Sequence, residues 1–301
     1  MRREVTFMSE GVELRGWLYS PDADPPHAIV VMAHGFSATR RMTADKYAEV
    51  FRNTGLAVLL YDHLGFGDSG GEPRLQINTW LQARGYRDAI SFASDLPETE
   101  RAEIGIWGDS LSGAVALAVA GVDPRVAALV VQVPALGAEP APEDSDGSLF
   151  KAFKETILSG DIRPSSGDVE GPMPVVSDDQ VRRPSALTPL TAYRWFIEYG
   201  GRLRTGWVND VTRARPKTLV PWHAGLCASH VSCPTLFVVS PEDEMPAAVP
   251  GVARDIYDRL TVAKEWLDID GGHFGLLYHP SAEFERASTA QARFLAGVLR
   301  S

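Results

Sequence analysis

The amino-acid sequence predicts an α/β fold, because short apolar runs alternate along the chain with segments of helical spacing. The apolar runs are nearly continuous, as in strands that a parallel sheet buries on both faces. These predicted strands cover residues 28–33, 57–61, 104–107, 128–133 and 235–239. The predicted helices between them cover residues 44–53, 80–93, 111–120, 252–260 and 284–299. Before the first of these strands, residues 5–7 and 12–19 alternate apolar and polar positions around a Ser-Glu-Gly turn, which predicts a β-hairpin.

One long stretch interrupts the alternation. Between residues 136 and 230 no buried-strand run occurs, although residues 149–158 and 190–199 have helical spacing. We interpret residues 136–230 as a lid that is inserted over one end of the sheet. The core is then formed by residues 1–135 and 231–301.

Composition excludes several classes of protein. With 29 basic and 39 acidic residues, the net charge of −10 argues against nucleic-acid binding, which needs a basic face, and gives no sign of binding to an anionic membrane. The two cysteines, Cys227 and Cys233, have no histidine at metal-ligand spacing, and a chain of 301 residues does not need a bridge between them. Since the sequence shows neither a signal peptide nor a membrane-spanning run, we expect a cytoplasmic protein.

The sharpest local motif surrounds Ser110, where a predicted strand leads through Gly-Asp-Ser-Leu-Ser-Gly into a predicted helix. Gly108 and Ser112 supply small residues on both sides of the tight turn, which holds Ser110 in a strained backbone conformation and exposes its hydroxyl. The N-terminus of the helix directs free N–H groups at the same point. The motif therefore predicts a nucleophilic serine, although G-x-S-x-S-G is a variant of the stricter G-x-S-x-G and also suits a helix start without chemistry.

A serine hydroxyl needs a base, and His273 is the best placed of the seven histidines. It follows two glycines in a loop between an apolar strand, residues 266–269, and the last helix. His279, which precedes Pro280, fits a turn better.

The base in turn needs an acid that fixes its tautomer. The loop after residues 235–239 carries three carboxylates, Glu242, Asp243 and Glu244. Asp243 lies in the middle of this loop and is the predicted partner of His273, with the two glutamates as alternatives.

Acyl-transfer chemistry also needs N–H donors for the oxyanion. The backbone N–H of Leu111, directly after the serine, is one predicted donor. The loop after the strand at residues 28–33 supplies the second, which we assign to the N–H of Phe36, with Gly35 allowing the turn. His34 is interpreted as an organiser of this loop.

Together these motifs resemble the α/β-hydrolase superfamily, whose chain order of nucleophile, acid and histidine is the order of Ser110, Asp243 and His273. The likeness covers nearly the whole chain. The segments GIWGDSLSG, WVNDVT and KEWLDIDGGHFGLLY resemble the branch of dienelactone-hydrolase-like and polyketide-transferase-like proteins. The resemblance implies an eight-stranded, mostly parallel sheet with helices on both faces and a helical lid. This chain differs from dienelactone hydrolases proper, whose nucleophile is a cysteine. It also differs from the branch at His63-Leu64, where arginine or tyrosine is usual.

We therefore expect a serine hydrolase that cleaves a small ester or lactone through an acyl-enzyme and needs neither a metal nor an organic cofactor. The alternative is an acyltransferase, thioesterase or amide/peptide hydrolase of secondary metabolism, and a non-catalytic binder would lack a member of the triad. The expected partner is a small-molecule acyl substrate, and a homodimer is possible.

Charge is unevenly divided within the lid. Residues 139–179 contain ten acidic and three basic residues, whereas residues 180–217 contain two acidic and eight basic residues. The basic half suits either a carboxylate- or phosphopantetheine-bearing substrate or an ordinary charged surface.

Overall fold

The computed structural model describes residues 1–99, 102–202 and 205–299 of the chain. Its strands, in chain order, are β1 (Arg2–Ser9), β2 (Val12–Tyr19), β3 (Ile29–Ala33), β4 (Ala57–Tyr61), β5 (Gln76–Ile77), β6 (Ile104–Asp109), β7 (Val126–Gln132), β8 (Val169–Met173), β9 (Val211–Ala214), β10 (Thr235–Val239) and β11 (Lys264–Asp268). The N-terminal hairpin and every strand predicted from an apolar run are confirmed. The ends of the strands predicted from apolar runs shift by at most two residues.

Eight strands form the central sheet in the order β1-β2-β4-β3-β6-β7-β10-β11. The first three strands of this order pair antiparallel, and all the other neighbours pair parallel. β3, β4, β6 and β10 are buried along their whole length, which explains why their sequences are apolar without alternation. The sheet therefore has the size and the mostly parallel character that the sequence predicts.

The helices are α1 (Ala44–Asn53), α2 (Thr79–Ser94), α3 (Ser110–Val122), α4 (Ser148–Ser159), α5 (Leu190–Arg202), α6 (Pro250–Arg259), α7 (Gly272–Gly275) and α8 (Ala282–Val298). On one face of the sheet α2, α3 and α6 bury their apolar side chains, and on the other face α1 and α8 bury theirs. The rings of Tyr47 in α1 and Phe284 in α8 meet edge to face with centroids 4.7 Å apart. None of the helices within the described ranges is long and apolar enough to cross a membrane.

The segment between β7 and β10 contains the two predicted helices, α4 and α5, and also two short strands. β8 pairs antiparallel with β9, and β9 pairs in parallel with β5, which precedes α2 in the chain. The sequence did not predict these strands, because β8 and β9 are largely half-buried or exposed and so lack a continuous apolar run. The insertion is therefore not purely helical, and its second sheet takes one strand from outside it.

Only part of the insertion lies near the carboxyl ends of the central strands. α4 packs beside the sheet instead, where the ring centroids of Phe153 and Trp80 of α2 are 4.7 Å apart. The short 3-10 helix Ala224–His230 is buried against α3. The residues of the insertion that line the cavity above Ser110 come from 186–188, 195–196 and 213–215. The domain boundaries stay a prediction.

Candidate active site

The turn between β6 and α3 has the geometry that the sequence predicts for a strained strand-to-helix turn. Ser110 begins α3 and has a backbone φ of 50°, in the left-handed region that non-glycine residues rarely adopt. A Cβ atom at Gly108 would lie 2.2 Å from the carbonyl oxygen of Ser112, so only glycine fits two residues before the serine. The close packing of Gly108 on Ser112 therefore closes the turn and presents the Ser110 hydroxyl at the sheet edge.

The structure brings together Ser110 at the start of α3, Asp243 in the loop after β10, and His273, which lies in the short helix α7 and not in a loop as predicted. The Nε2 atom of His273 lies 3.0 Å from the hydroxyl of Ser110, and its Nδ1 atom lies 2.7 Å from Oδ2 of Asp243. An ionised carboxylate only accepts hydrogen bonds, so Nδ1 carries the proton and the Nε2 lone pair faces the serine hydroxyl. The side chains of His273 and Asp243 are 2% and 1% exposed, so this chain of hydrogen bonds is shielded from water.

The structure shows which of the three carboxylates in the loop after β10 contacts the imidazole of His273. Asp243 bonds to the imidazole and also accepts a hydrogen bond from the N–H of Met245 at 2.9 Å. Glu242 is exposed to solvent. Glu244 does not contact the imidazole, but its Oε2 atom accepts the backbone N–H of His273 at 2.8 Å. The predicted choice of Asp243 therefore agrees with the geometry, and Glu244 has a supporting contact that the sequence did not indicate.

The two glycines before His273 explain how the imidazole reaches the serine. Gly271 and Gly272 have φ values of 101° and 69°, which favour glycine. A Cβ at Gly272 would lie 2.5 Å from Oε2 of Glu244, so the carboxylate packs directly on this backbone. The other oxygen of Glu244 accepts a hydrogen bond from the hydroxyl of Thr191 in α5. Glu244 thus ties the His273 loop to the insertion.

The two segments that carry the predicted oxyanion donors pack against each other beside Ser110. Gly35 packs so tightly on the turn that a Cβ there would lie 2.7 Å from the carbonyl oxygen of Asp109 and 3.3 Å from the backbone nitrogen of Leu111. Phe36 has a φ of 45°, so a second strained non-glycine residue adjoins the serine. Phe36 and Leu111 line the same cavity as Ser110. The loop after β3 (residues 34–37, the oxyanion loop, named for its predicted role) is therefore in close contact with the start of α3.

His34 holds this loop and does not face the serine. Its Nε2 atom donates to the carbonyl oxygen of Met42 at 2.6 Å, and its Nδ1 atom lies 2.8 Å from Oδ2 of Asp109. Burial lowers the pKa of His34, but the Asp109 carboxylate and the bond to Met42 outweigh that effect and raise the pKa above its usual value. The other oxygen of Asp109 accepts the N–H of Gly35 at 2.8 Å. The interpretation of His34 as a loop organiser agrees with these contacts.

A second buried histidine, His63, contacts the turn on the side of β4, and sequence reasoning assigned it no role. The Nε2 atom of His63 donates to the hydroxyl of Ser112 at 2.8 Å, and that hydroxyl donates to the carbonyl oxygen of His34 at 2.8 Å. Burial, with a smaller effect from His34, lowers the pKa of His63 to about 3, so the ring is neutral at physiological pH. His63 and Ser112 therefore link β4, the turn and the oxyanion loop.

The cavity above Ser110 has a volume of about 460 Å³ and mostly apolar walls. The core supplies Phe36, Leu111 and Phe274 among others, and the insertion supplies Leu187, Trp195 and Phe196. Two arginines of the insertion, Arg213 and Arg215, also line it. A cavity of this size and character suits a small organic ligand whose reactive group is fixed by a few polar atoms.

The described residues provide neither a metal-binding cluster nor a reactive thiol. Within the part of the chain that the structure describes, no three His, Cys, Asp or Glu side chains are grouped as metal ligands. Cys227 and Cys233 are both free and buried. Burial raises the pKa of the Cys233 thiol to about 12 and that of Cys227 further, so both are poor nucleophiles.

The sheet order, the strained turn and the loops at its edge define an α/β-hydrolase fold, as predicted. The chain belongs to the Hydrolase_4 family, described as serine aminopeptidase, S33, whose model matches residues 24–272. It is 27% identical over 306 residues to a thiohydrolase of Eupenicillium brefeldianum, covering 98% of this chain and 94% of that one. It is 33% identical over 181 residues to the polyketide transferase grgF of Penicillium sp., covering 59% of this chain and 58% of that one.

Among solved structures, the α/β hydrolase GrgF from Penicillium sp. sh18 is similar with a TM-score of 0.74 and 25% sequence identity, covering 99% of both chains. The predicted resemblance to the polyketide-transferase-like branch is therefore confirmed. The protein is an enzyme of the α/β-hydrolase class, and its relatives carry hydrolase and acyl-transfer names.

Proposed function

We propose that this enzyme transfers an acyl group from a small ester or lactone to Ser110 and then to water. The hydrogen-bonded chain from Ser110 through His273 to Asp243, with separations of 3.0 and 2.7 Å, is the observation that carries the proposal. This chain ends in a cavity of about 460 Å³, which suits an acyl group of modest size.

The first half of the reaction forms the acyl-enzyme. The Nε2 atom of His273 takes the proton of the Ser110 hydroxyl as the oxygen attacks the substrate carbonyl, and Asp243 stabilises the resulting imidazolium. The N–H groups of Phe36 and Leu111 donate to the oxyanion. When the tetrahedral intermediate collapses, the bond to the leaving oxygen breaks and His273 donates its proton to that oxygen.

The second half reverses these roles. His273 takes a proton from water, the water oxygen attacks the acyl carbonyl, and the ester bond to Ser110 breaks as the proton returns to the serine. A free acid leaves, and the enzyme regains its starting protonation state.

A thioester donor, or an acceptor other than water, is the second candidate for the same site. The names thiohydrolase and polyketide transferase among the relatives favour it. The apolar side chains that the insertion places over the cavity favour it too, because they limit the access of water to an acyl-enzyme. The family description as a serine aminopeptidase keeps amide and peptide bonds among the substrates to be tested.

A substrate panel tests the proposal. Wild type and Ser110→Ala are compared on p-nitrophenyl esters, lactones, thioesters and anilides with matched acyl groups. We expect wild type to turn over esters or lactones and Ser110→Ala to lose at least about a thousandfold in kcat, since removal of a triad nucleophile has an effect of this order or larger. Equal turnover by the two proteins would contradict the proposal. Product ratios with added amines or alcohols show whether water is the preferred acceptor.

We also propose a cytoplasmic location, which the two free thiols of Cys227 and Cys233 support. Fractionation of cells that express the chain at native level tests it. Recovery with a cytoplasmic marker is the expected result, and recovery with an extracellular or membrane marker would contradict it.

A further inference from the structure

The cavity above Ser110 contains a cationic side chain that the acyl-transfer mechanism does not use. Arg213 lies in β9, the central strand of the small sheet, and lines the same cavity as Ser110 and His273. Its side chain is half-buried, and burial lowers its pKa, with Glu170 opposing and Arg215 reinforcing that shift. A cation in partly apolar surroundings is unfavourable unless an anion or several hydrogen bonds compensate for lost hydration.

Two contacts hold the guanidinium group of Arg213 in place. Its Nη2 atom donates to the carbonyl oxygen of Ala186 at 2.7 Å, and its Cζ atom lies 5.3 Å from the ring centroid of Phe36. Arginine has five N–H donors in a rigid fork, and only one of them bonds within the described ranges. The group is therefore oriented beside the oxyanion loop with most of its donors unused.

Other partly buried arginines of the chain have carboxylate partners. Such ion pairs join Arg41 to Asp68, Arg52 to Asp22, Arg84 to Glu10, Arg87 to Asp123, and Arg259 to Asp255. For Arg213 no carboxylate oxygen of a described residue lies within 4.0 Å. Glu170, its pairing partner across the β8–β9 ladder, instead bonds to Arg215 at 3.2 Å. No described residue therefore supplies the anion that would complete the site of Arg213.

We propose that Arg213 binds an anionic oxygen group of the substrate and thereby determines specificity. The inference rests on the proposed acyl-transfer function and adds the substrate class: acyl donors that carry an anionic oxygen group. A carboxylate on the acyl part and a phosphate on the thiol part share this chemistry, since the guanidinium fork binds either one. Arg213 is a specificity residue, because it contacts the substrate without taking part in bond making.

Two pairs of substrates, measured near physiological ionic strength, locate the anion. The first pair is p-nitrophenyl hydrogen glutarate and its neutral methyl ester, which differ in the charge on the acyl part and by one methyl group. The second pair is an acyl thioester of phosphopantetheine and the same thioester of pantetheine. For each pair the ratio of kcat/KM, anionic over neutral, is measured in wild type, Arg213→Gln and Arg213→Lys. Arg182→Gln is the control, because Arg182 lies in the same basic half of the insertion and is 89% exposed.

Wild type should prefer the anionic member of one pair by about 10- to 100-fold, the range of a charge-assisted hydrogen bond. Arg213→Gln should reduce that ratio to near 1, because the anionic member of the pair loses its partner and the neutral member does not. Arg213→Lys should retain part of the preference, and Arg182→Gln all of it. Ratios that are equal in wild type and Arg213→Gln for both pairs would overturn the proposal.

A binding measurement keeps this test separate from the proposed catalytic function. Titration calorimetry compares p-nitrophenyl hydrogen glutarate and the phosphopantetheine thioester on Ser110→Ala and on the double variant Ser110→Ala/Arg213→Gln. We expect about tenfold weaker binding of one of them to the double variant. Failure of turnover in wild type would contradict the role of Ser110 alone, whereas unchanged binding of both ligands would contradict the role of Arg213.

Discussion

The contact between Gly35 and the Ser110 turn allows a sharp test of the oxyanion site. In Gly35→Ala the new Cβ would lie 2.7 Å from the carbonyl oxygen of Asp109, whereas ordinary contact begins at 3.4 Å. The oxyanion loop and the turn must therefore separate by about 0.7 Å, because the obstructing atoms include backbone. That displacement moves the N–H of Phe36 relative to the N–H of Leu111. It also moves Ser110, because the new Cβ would lie 2.8 Å from the Cβ of the serine.

The expected effect is a fall in kcat of about 100- to 1,000-fold, the loss seen when one oxyanion donor is removed, or about 2.7–4 kcal/mol. KM should change little, since the donors act chiefly on the transition state. Overpacking also destabilises the fold by about 1–3 kcal/mol. Steady-state kinetics on an ester substrate, at a temperature where unfolding curves show both proteins folded, measures the catalytic effect alone.

Gly297→Ala is the matched control. Gly297 lies near the end of α8, and a Cβ there meets no atom within 4 Å. The same substitution should leave kcat and KM unchanged and leave stability equal or slightly higher. If folded Gly35→Ala turned over substrate as fast as Gly297→Ala, the proposed oxyanion site would be wrong.

Two further predictions concern the acid and a buried histidine. Asp243→Asn should lower kcat by about 10⁴, because the wrong tautomer of His273 is favoured, whereas Glu244→Gln should lower it by less than about tenfold, because its amide oxygen still accepts the N–H of His273. For His63, the pKa is about 3 in the folded protein against 6.5 unfolded, so below pH 6.5 only the unfolded chain gains the proton. Its contribution to the free energy of unfolding is therefore complete above pH 6.5 and falls toward pH 3 by up to about 1.4 kcal/mol per pH unit. Urea unfolding of His63→Gln should not show this loss.

Each of these predictions has an outcome that would contradict it. A Glu244→Gln variant that loses more activity than Asp243→Asn would make Glu244 the functional acid. Urea unfolding of wild type and His63→Gln at pH 7.5, 6.0 and 5.0 should give free energies that converge as the pH falls. The raised pKa of His34 has the opposite effect: it stabilises the fold below pH 6.5, and this stabilisation is lost as the pH rises through the pKa of the folded protein. Since wild type and His63→Gln both contain His34, this effect does not account for a difference between them. A constant difference at the three pH values would refute the assignment of His63 as a buried neutral ring.

Much of the core was predictable because its elements have strong local signals. The continuous apolar runs of β3, β4 and β10 follow from burial on both faces, and the helices that cover them have a clear 3.6-residue period. The residues of the candidate triad were also recognisable, because each follows a predicted strand at the edge where the carboxyl ends of parallel strands meet. Asp243 stood apart from its two neighbouring glutamates only by its place in the loop.

Contacts between distant segments were not predictable. Glu244 accepts a hydrogen bond from the backbone of a residue 29 positions away, and His63 bonds to a hydroxyl 49 positions away. Nothing near either residue marks such a partner. The strands β8 and β9 lack an apolar run because they are largely half-buried or exposed, and β9 pairs with a two-residue strand from another part of the chain. The position of Arg213 over Phe36 depends on this pairing and so could not be read from the basic charge of the segment.

The most direct test of the account is covalent labelling of Ser110. Wild type and Ser110→Ala are treated with a fluorophosphonate, and the site of the adduct is located by peptide mass spectrometry. We predict one adduct per chain, on Ser110, in wild type and none in Ser110→Ala, with slower labelling in Asp243→Asn. Absence of an adduct on Ser110 in the folded wild type, or labelling that is unchanged in Ser110→Ala, would contradict the claim that this serine is the nucleophile.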